Sequence, residues 1–259
     1  MTRAPFLAPS WAPPLLALQF LTRVPVPVLA RLSGEQAADG LARAMAWLPP
    51  VGSLVGLVTA GVFAGAGAVW PPVVAAVLAL MVEGLLTGAF HEDAVADFCD
   101  AFGGTARGET ALRIMKDSRI GSYGTLGLGL AVALRLAAIV ALPAGLAVAA
   151  IVAAATMGRL WAVVLAGVVA PVRGDGMAVR AGKVPRGRVL LAVVLALPGV
   201  VPLVLLRPVS MLACGIVGLV FLLWLAAFLR RRIGGSTGDC LGFAAYVGQL
   251  VVLLAAAAP

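Results

Sequence analysis

Apolar runs long enough to cross a lipid bilayer recur along this chain of 259 residues, and they constrain its fold more than any other feature. A spanning helix needs about 20 residues, because the hydrocarbon core is roughly 30 Å thick and a helix rises about 1.5 Å per residue. The sequence therefore predicts an all-α, polytopic transmembrane helical bundle, which we treat as one integral membrane domain over residues 1–259. Its seven predicted spans lie near 44–67, 71–91, 121–142, 144–169, 188–206, 208–230 and 240–258.

A weaker apolar segment lies near residues 14–30. It contains Arg23, Pro25 and Pro27, and each proline fixes φ and removes a backbone hydrogen-bond donor. Such a segment is compatible with an eighth span, with a re-entrant segment or with a helix at the membrane interface. The residues alone leave these three possibilities open.

Basic residues are concentrated in the connections that follow the second, fourth and sixth predicted spans. Two crossings separate each of these connections from the next, so all three lie on one side of the membrane, and Lys and Arg mark the cytoplasmic side. We therefore predict that a catalytic loop and helix at 91–121, and loops at 170–188 and 230–239, face the cytoplasm. The net charge of +8 is then explained by loops that face anionic lipid, and it does not indicate a nucleic-acid partner.

The few acidic residues of the chain are clustered, since six of the eleven lie between Glu92 and Asp117. Asp93, Asp97 and Asp100 are spaced so that a helix places all three carboxylates on one face, where they repel one another. Mg²⁺ prefers hard oxygen ligands and commonly binds one or two carboxylates together with substrate phosphate oxygens. We predict a catalytic Mg²⁺ site at these three aspartates; the alternative is a solvated acidic face on a surface helix.

The residues on either side of this acidic cluster suit a phosphorylated substrate. His91, the only histidine, precedes the aspartates and is a candidate base or hydrogen-bond donor to phosphate. Cations beside a carboxylate-bound metal hold the remaining oxygens of a polyphosphate. The candidate phosphate-binding residues are Arg113, Lys116, Asp117 and Arg119, although the basic ones also suit positive-inside anchors.

A glycine-rich turn precedes the last predicted span and contains Thr237, Gly238 and Asp239. Backbone N–H groups at the start of a helix bind phosphate, and Asp239 is a candidate further metal ligand. A helix cap after a flexible turn explains the same residues.

Three ionisable residues lie within predicted spans, where a buried charge costs at least about 2.5 kcal/mol unless it is paired or lines a cavity. Glu83 is expected to bridge Arg135 or Arg159. Arg159 is also expected to reach a cavity that opens to the cytoplasm, so it joins the candidate substrate-binding residues.

Four ordered blocks of sequence resemble the cobalamin synthase family, the adenosylcobinamide-GDP ribazoletransferases, over nearly the full length of the chain. They are Leu18 to Pro27, Leu86 to Asp93 continuing to Asp100, Ile114 to Gly124, and Gly235 to Asp239 with Gly242. The family usually has glycine where this chain has Ala94 and Ala101, which leaves a close backbone approach at Ala94 to be explained.

The resemblance implies a membrane transferase of cobalamin biosynthesis that uses Mg²⁺. It would move the adenosylcobinamide phosphate group of adenosylcobinamide-GDP to α-ribazole or its 5′-phosphate and release GMP. Two other functions compatible with the residues are a CDP-alcohol type of Mg²⁺-dependent phosphotransferase and an ion-coupled carrier that uses Glu83, Arg135 and Arg159. The lipid bilayer is an expected partner, and a homo-oligomer is possible on this sequence.

Overall fold

A computed structural model describes residues 7–172 and 182–258, and only the backbone of residue 144. Over these ranges all regular secondary structure is helical, apart from one isolated parallel bridge between Pro171 and Ser236. The α-helices are α1 Ala12–Leu21, α2 Gly34–Ala44, α3 Leu48–Gly67, α4 Pro72–Thr87, α5 Phe90–Phe102, α6 Gly108–Met115, α7 Ser122–Ala141, α8 Ala144–Val168, α9 Arg186–Leu206, α10 Pro208–Ile233 and α11 Gly238–Ala257. Short 3₁₀ turns at Pro27–Arg31 and Met45–Trp47 precede α2 and α3.

Helix α8 is the centre of the bundle and packs against α3, α9 and α11. Its buried face is made of small residues, and Ala147, Ala150 and Ala153 are fully buried. Small side chains let helix backbones approach closely, which is how helices associate where lipid and side chains are equally apolar. Small residues of the spans therefore build the core of the bundle.

The outer faces of the long helices carry large apolar side chains. Leu190 and Leu205 on α9 and Leu212 and Trp224 on α10 are among many that are more than half exposed. An exposed apolar surface of this extent is unfavourable in water and favourable in hydrocarbon. The protein is therefore an integral membrane protein, as predicted.

Six of the seven predicted spans are present as single helical segments long and apolar enough to cross a membrane. The prediction for 71–91 was wrong in its length: α4 ends at Thr87, and α5 leaves it at an angle of 89°. The span count is thus six, or seven when the bent pair of α4 and α5 is counted as one span. Because α5 runs almost perpendicular to α4, it lies along the membrane surface if α4 crosses the bilayer.

The corner between α4 and α5 is built by Gly88 and Ala89, which both have left-handed backbone conformations with φ of 72° and 55°. The chain near residue 23 packs into this corner: the Arg23 N–H donates to the Leu86 carbonyl over 2.7 Å, and Phe20 contacts Phe90 edge to face. A left-handed non-glycine residue costs of order 1–3 kcal/mol, so these contacts hold a conformation that the local sequence disfavours. Two distant blocks of the resemblance thereby meet at one point.

The weak segment near 14–30 contains only one regular α-helix, α1, of ten residues. At about 1.5 Å per residue it is about half the length that a span requires. This segment is therefore not an eighth helical span, and α1 instead packs on α2 and α3 beside the corner.

Candidate active site

Helix α5 carries the predicted carboxylates, and they occupy one helix as their spacing indicated. Asp93 is exposed, while Asp97 and Asp100 are partly buried. Both carboxylate oxygens of Asp100 are already engaged, because they accept the backbone N–H groups of Gly121 at 2.7 Å and Gly124 at 2.8 Å. Asp100 thus attaches the start of α7 to α5, and its predicted role as a metal ligand remains a prediction.

Asp97 is surrounded by other carboxylates. Burial is the first cause that raises the pKa of Asp97 to about 7, and the charges of Asp93, Asp239 and Asp100 raise this pKa further. Asp239 stands at the start of α11, and the close packing of α11 on α5 brings it near this group. The structure therefore adds a fourth carboxylate, from the opposite end of the sequence, to the three predicted together.

The close approach of α11 to α5 depends on Gly242. A Cβ at this position would lie only 2.5 Å from the Cβ of Ala94, so no larger residue fits opposite this alanine. Ala94 is 2% exposed and stands where the resembling family has glycine. Its additional methyl group is accommodated because the facing residue is a glycine.

The start of α11 is fixed by an N-terminal cap. The Thr237 hydroxyl accepts the backbone N–H of Cys240 at 3.3 Å, which satisfies one of the donors that a helix start leaves free. Ser236 pairs with the chain after α8, donating its N–H to the Ala170 carbonyl and accepting the N–H of Val172, both at 2.9 Å. The two predicted loops 170–188 and 230–239 are therefore joined at this end of the bundle; residues 173–181 of the first lie outside the described ranges.

One cavity of about 670 Å³ opens beside these elements. Seven of the candidate residues line it: His91, Arg113, Lys116, Arg159, Thr237, Gly238 and Asp239. Arg113 and Lys116 are exposed at its mouth, whereas His91 and Arg159 are buried within it. Five candidates are not among the lining residues: Asp93, Asp97, Asp100, Asp117 and Arg119.

Several lining residues were not predicted from the sequence. Glu109 stands at the exposed mouth, and Phe20, Leu41 and Met45 from the N-terminal elements form part of the wall. Apolar residues in an N-terminal segment carry no sequence signal for such a role. The signal available for Phe20 was its place in the first block of the resemblance.

Asp117 and Arg119 form a pair of their own outside the cavity. The Arg119 guanidinium donates to both carboxylate oxygens of Asp117, with the shortest contact at 2.7 Å, and these hydrogen bonds hold the pKa of Asp117 at about 2. Arg119 is exposed, so this pair is screened by solvent. The predicted role of these two residues in binding phosphate remains a prediction.

Arg135 is the centre of a buried ionic network. Its Nη2 lies 2.7 Å from Glu83 Oε2, its Nη1 lies 3.5 Å from Glu92 Oε1, and its guanidinium is placed over the Tyr246 ring. Thr59 donates a hydrogen bond of 2.9 Å to the same oxygen of Glu83. The expected bridge from Glu83 thus goes to Arg135, and it links the helices on both sides of the α4–α5 corner to α7 and α11.

Arg159 has a different environment. It is 1% exposed and lines the cavity, and its Nη1 donates to the Ala155 carbonyl at 3.3 Å. Among the described residues, its Nε and Nη2 have no hydrogen-bond partner. His91 lines the same cavity, and burial together with the positive charge of Arg159 lowers the pKa of His91 well below its usual value, so the imidazole is neutral.

The donor set around Asp97 fits Mg²⁺ in its chemistry, because it consists of hard carboxylate oxygens whose mutual repulsion a divalent cation would relieve. Within residues 7–172 and 182–258, no three His, Cys, Asp or Glu side chains converge into a complete metal site. Mg²⁺ typically keeps several waters and substrate oxygens in its shell, so it requires only one or two of these carboxylates.

The fold and the cavity together define a polytopic helical membrane protein with an internal cavity that is lined by Arg113, Lys116 and Arg159 and bordered by carboxylates. A sequence model of the family described as cobalamin-5-phosphate synthase matches residues 13–257 of this chain. The chain belongs to that family, and it is therefore an enzyme of cobalamin biosynthesis.

Curated relatives support this membership over nearly the whole chain. An adenosylcobinamide-GDP ribazoletransferase of Shewanella amazonensis is 42% identical over 246 residues, covering 93% of this chain and 92% of the relative. Proteins of the same name from Bradyrhizobium diazoefficiens and Ralstonia nicotianae are each 40% identical, over 94% and 92% of this chain and 92% of each relative. No solved structure matches the chain.

Proposed function

We propose that this chain is an adenosylcobinamide-GDP ribazoletransferase. It would transfer the adenosylcobinamide phosphate group of adenosylcobinamide-GDP to α-ribazole or α-ribazole 5′-phosphate, with release of GMP. The observation that carries this proposal is the composition of one cavity. Arg113 and Lys116 lie at its mouth with Asp239, one of the carboxylates around Asp97, and Arg159 is buried in its interior. The names of the curated relatives, at 36–42% identity, supply the substrates.

In the proposed reaction a ribazole hydroxyl oxygen bonds to the phosphorus that carries cobinamide, and the bond from that phosphorus to the bridging oxygen of GMP breaks. One carboxylate of the group around Asp97 accepts the hydroxyl proton. Arg113 and Lys116, exposed at the cavity mouth, offset the negative charge that develops on the departing GMP. Neutral His91 is available as a hydrogen-bond donor to a phosphate oxygen.

We propose Mg²⁺ as the cofactor, held by Asp93 and Asp97, with Asp100 and Asp239 as the neighbouring carboxylates. When bound, it would neutralise part of the diphosphate charge and orient the phosphate oxygens. The crowding of negative charge at Asp97 supports this assignment.

We further propose that the active site faces the cytoplasm, in the inner membrane of a bacterial cell. The supporting argument is the excess of Lys and Arg at the cavity end of the bundle, from the end of α6 to residue 119 and in the last turn of α10 at residues 230–232. A single cysteine introduced at exposed Ser118, in a variant without the three native cysteines, should react with a membrane-impermeant maleimide in inverted vesicles only. Labelling in intact spheroplasts would reverse the assignment.

Purified protein tests the activity directly. It should form GMP from adenosylcobinamide-GDP only when an α-ribazole acceptor is present, and excess chelator should abolish the reaction until Mg²⁺ is restored. GMP formation with a CDP-alcohol acceptor but not with α-ribazole would exclude the proposed function. Activity retained in chelator would exclude only the metal.

A further inference from the structure

The buried guanidinium of Arg159 forms no salt bridge within the described part of the chain, because Glu83 bonds directly to Arg135 and acts on Arg159 only from a distance. Two of its nitrogens lack partners, and the third contacts only a backbone carbonyl of its own helix. A buried charge without a partner costs several kcal/mol in a low-dielectric environment. His91 lines the same cavity, but a histidine carries no negative charge and so does not balance the guanidinium.

Arg159 lies far from the mouth of the cavity. It precedes Val168, the last residue of α8, by nine residues, which is about 13 Å along the helix axis. The mouth is formed by the chain just beyond that helix end, by the cap of α11 and by exposed Arg113 and Lys116. The cavity therefore has positive charge at two positions: Arg113 and Lys116 are exposed at the mouth beside the carboxylates, and Arg159 is buried at the deep end.

The space between these two places suits a nucleotide. Its volume of about 670 Å³ lies within the range of roughly 300–1,000 Å³ that is typical of small-ligand sites. Phe20, Phe90, Met45 and Leu48 give it an apolar wall for an aromatic base. The corrin macrocycle with its amide side chains is much larger than a nucleoside. The adenosylcobinamide part of adenosylcobinamide-GDP therefore has to remain outside this cavity.

We propose that the deep end of this cavity binds the acceptor, with Arg159 holding the 5′-phosphate of α-ribazole 5′-phosphate. This inference rests on the proposed function and specifies which acceptor the enzyme prefers. The 5′-phosphate takes no part in bond making, so it can occupy a site remote from the carboxylates, while the nucleoside hydroxyls point toward the mouth. Arg159 is then a specificity-determining residue for the phosphorylated acceptor.

Binding of the acceptor alone tests the inference without any turnover. In the full-length protein in detergent, α-ribazole 5′-phosphate should bind about 10- to 100-fold more tightly than α-ribazole, the value of a charge-assisted hydrogen-bonded contact. Arg159→Gln should reduce this preference to below about threefold, and Arg159→Lys should retain part of it. The affinity for adenosylcobinamide-GDP should change less than about threefold in both variants, since the donor does not contact Arg159.

Arg207→Gln is the matched control, because it removes the same charge at the opposite end of α9 from the cavity. Its preference should equal that of the unmodified protein. If the unmodified protein binds both acceptors equally, the inference is overturned, whether or not Arg159→Gln folds. A loss of donor affinity with the acceptor preference unchanged also overturns it, by assigning Arg159 to the diphosphate.

The turnover assay keeps the two proposals separate. If GMP forms with both acceptors and Arg159→Gln slows both equally, the proposed function stands and the inference fails. If no GMP forms with either acceptor, the proposed function fails, and the binding preference still decides whether Arg159 holds a nucleoside 5′-phosphate.

Discussion

Arg135 and Arg159 are both buried arginines on the inner helices, yet their environments are opposite. Arg135 is enclosed by Glu83, Glu92 and an aromatic ring, so its charge is balanced within the protein. Arg159 faces a cavity, with two nitrogens that have no partner in the described ranges. The same contrast separates Glu83, which is paired, from Asp97, which is surrounded by like charge. Arg135 thus makes direct ion pairs within the protein, whereas Arg159, within the described part of the chain, has hydrogen-bond donors without a direct partner at the cavity.

The largest expected effect breaks the balanced network. Arg135→Met leaves Glu83 buried without its counter-charge and should destabilise the protein by about 3–5 kcal/mol. Arg159→Met removes a buried charge that has no direct ion pair in the described ranges and should leave stability unchanged or higher. The buried thiols of Cys214 and Cys240 report unfolding as they become reactive during heating in detergent.

The double variant Glu83→Gln with Arg135→Met is the control for this pair, since it removes both charges together. It should recover much of the stability lost in Arg135→Met alone. Equal losses in Arg135→Met and Arg159→Met would contradict the distinction between the two arginines.

The second effect concerns the unbalanced carboxylate. Asp97→Asn should lower turnover by about 100-fold or more, because a proposed ligand of the Mg²⁺ that neutralises the diphosphate charge is lost. Its thermal stability should be equal to or above that of the unmodified protein, because the substitution relieves repulsion. Glu35→Gln, on exposed α2, is a matched loss of one carboxylate and should change neither quantity. Unchanged GMP formation in Asp97→Asn would place the chemistry elsewhere.

A smaller effect tests the packing that brings α11 to α5. Gly242→Ala should destabilise the protein by about 1–3 kcal/mol, since its new methyl group would meet that of Ala94. Combining it with Ala94→Gly should restore the clearance and most of the stability. Gly215→Ala on α10, where a Cβ has open space around it, is the control and should be neutral. If Gly242→Ala is equally neutral, the two helices are not in close contact here.

The smallest effect is a dependence of stability on pH at His91. The pKa of His91 is lowered in the folded protein, so below about pH 6.5 the unfolded chain binds a proton that the folded chain does not. Stability should therefore fall as pH decreases, by up to about 1.4 kcal/mol per pH unit near pH 5.5. His91→Gln should remove this part of the decrease when melting temperatures are compared from pH 5.5 to pH 8. The same slope in both proteins would show that His91 is not buried in neutral form.

Hydrophobicity was sufficient to predict the all-α membrane bundle, because each long apolar run has only one way to satisfy its backbone in lipid. It was insufficient at 71–91, since the apolar run continues through a corner that two residues with positive φ create. A hydropathy pattern shows how apolar a segment is, but it does not predict where the helix turns.

Local spacing predicted that Asp93, Asp97 and Asp100 share one helix, and this is confirmed. Spacing did not predict that the Asp100 carboxylate would accept backbone N–H groups at the start of α7, or that Asp239 would approach Asp97. These relations join residues more than 20 positions apart and depend on how helices pack. The resemblance placed the blocks in one family but did not arrange them in space.

The depth of the cavity has a kinetic consequence. Its deep end is reached past Arg113, Lys116 and the cap of α11, so a donor diphosphate bound at this mouth would close the route to Arg159. If the proposed function and the deep acceptor site hold, substrate binding would follow a compulsory order, in which the ribazole acceptor enters first and the corrinoid nucleotide second. GMP would leave before the product, whose newly attached nucleotide is still seated inside, can diffuse back into the membrane.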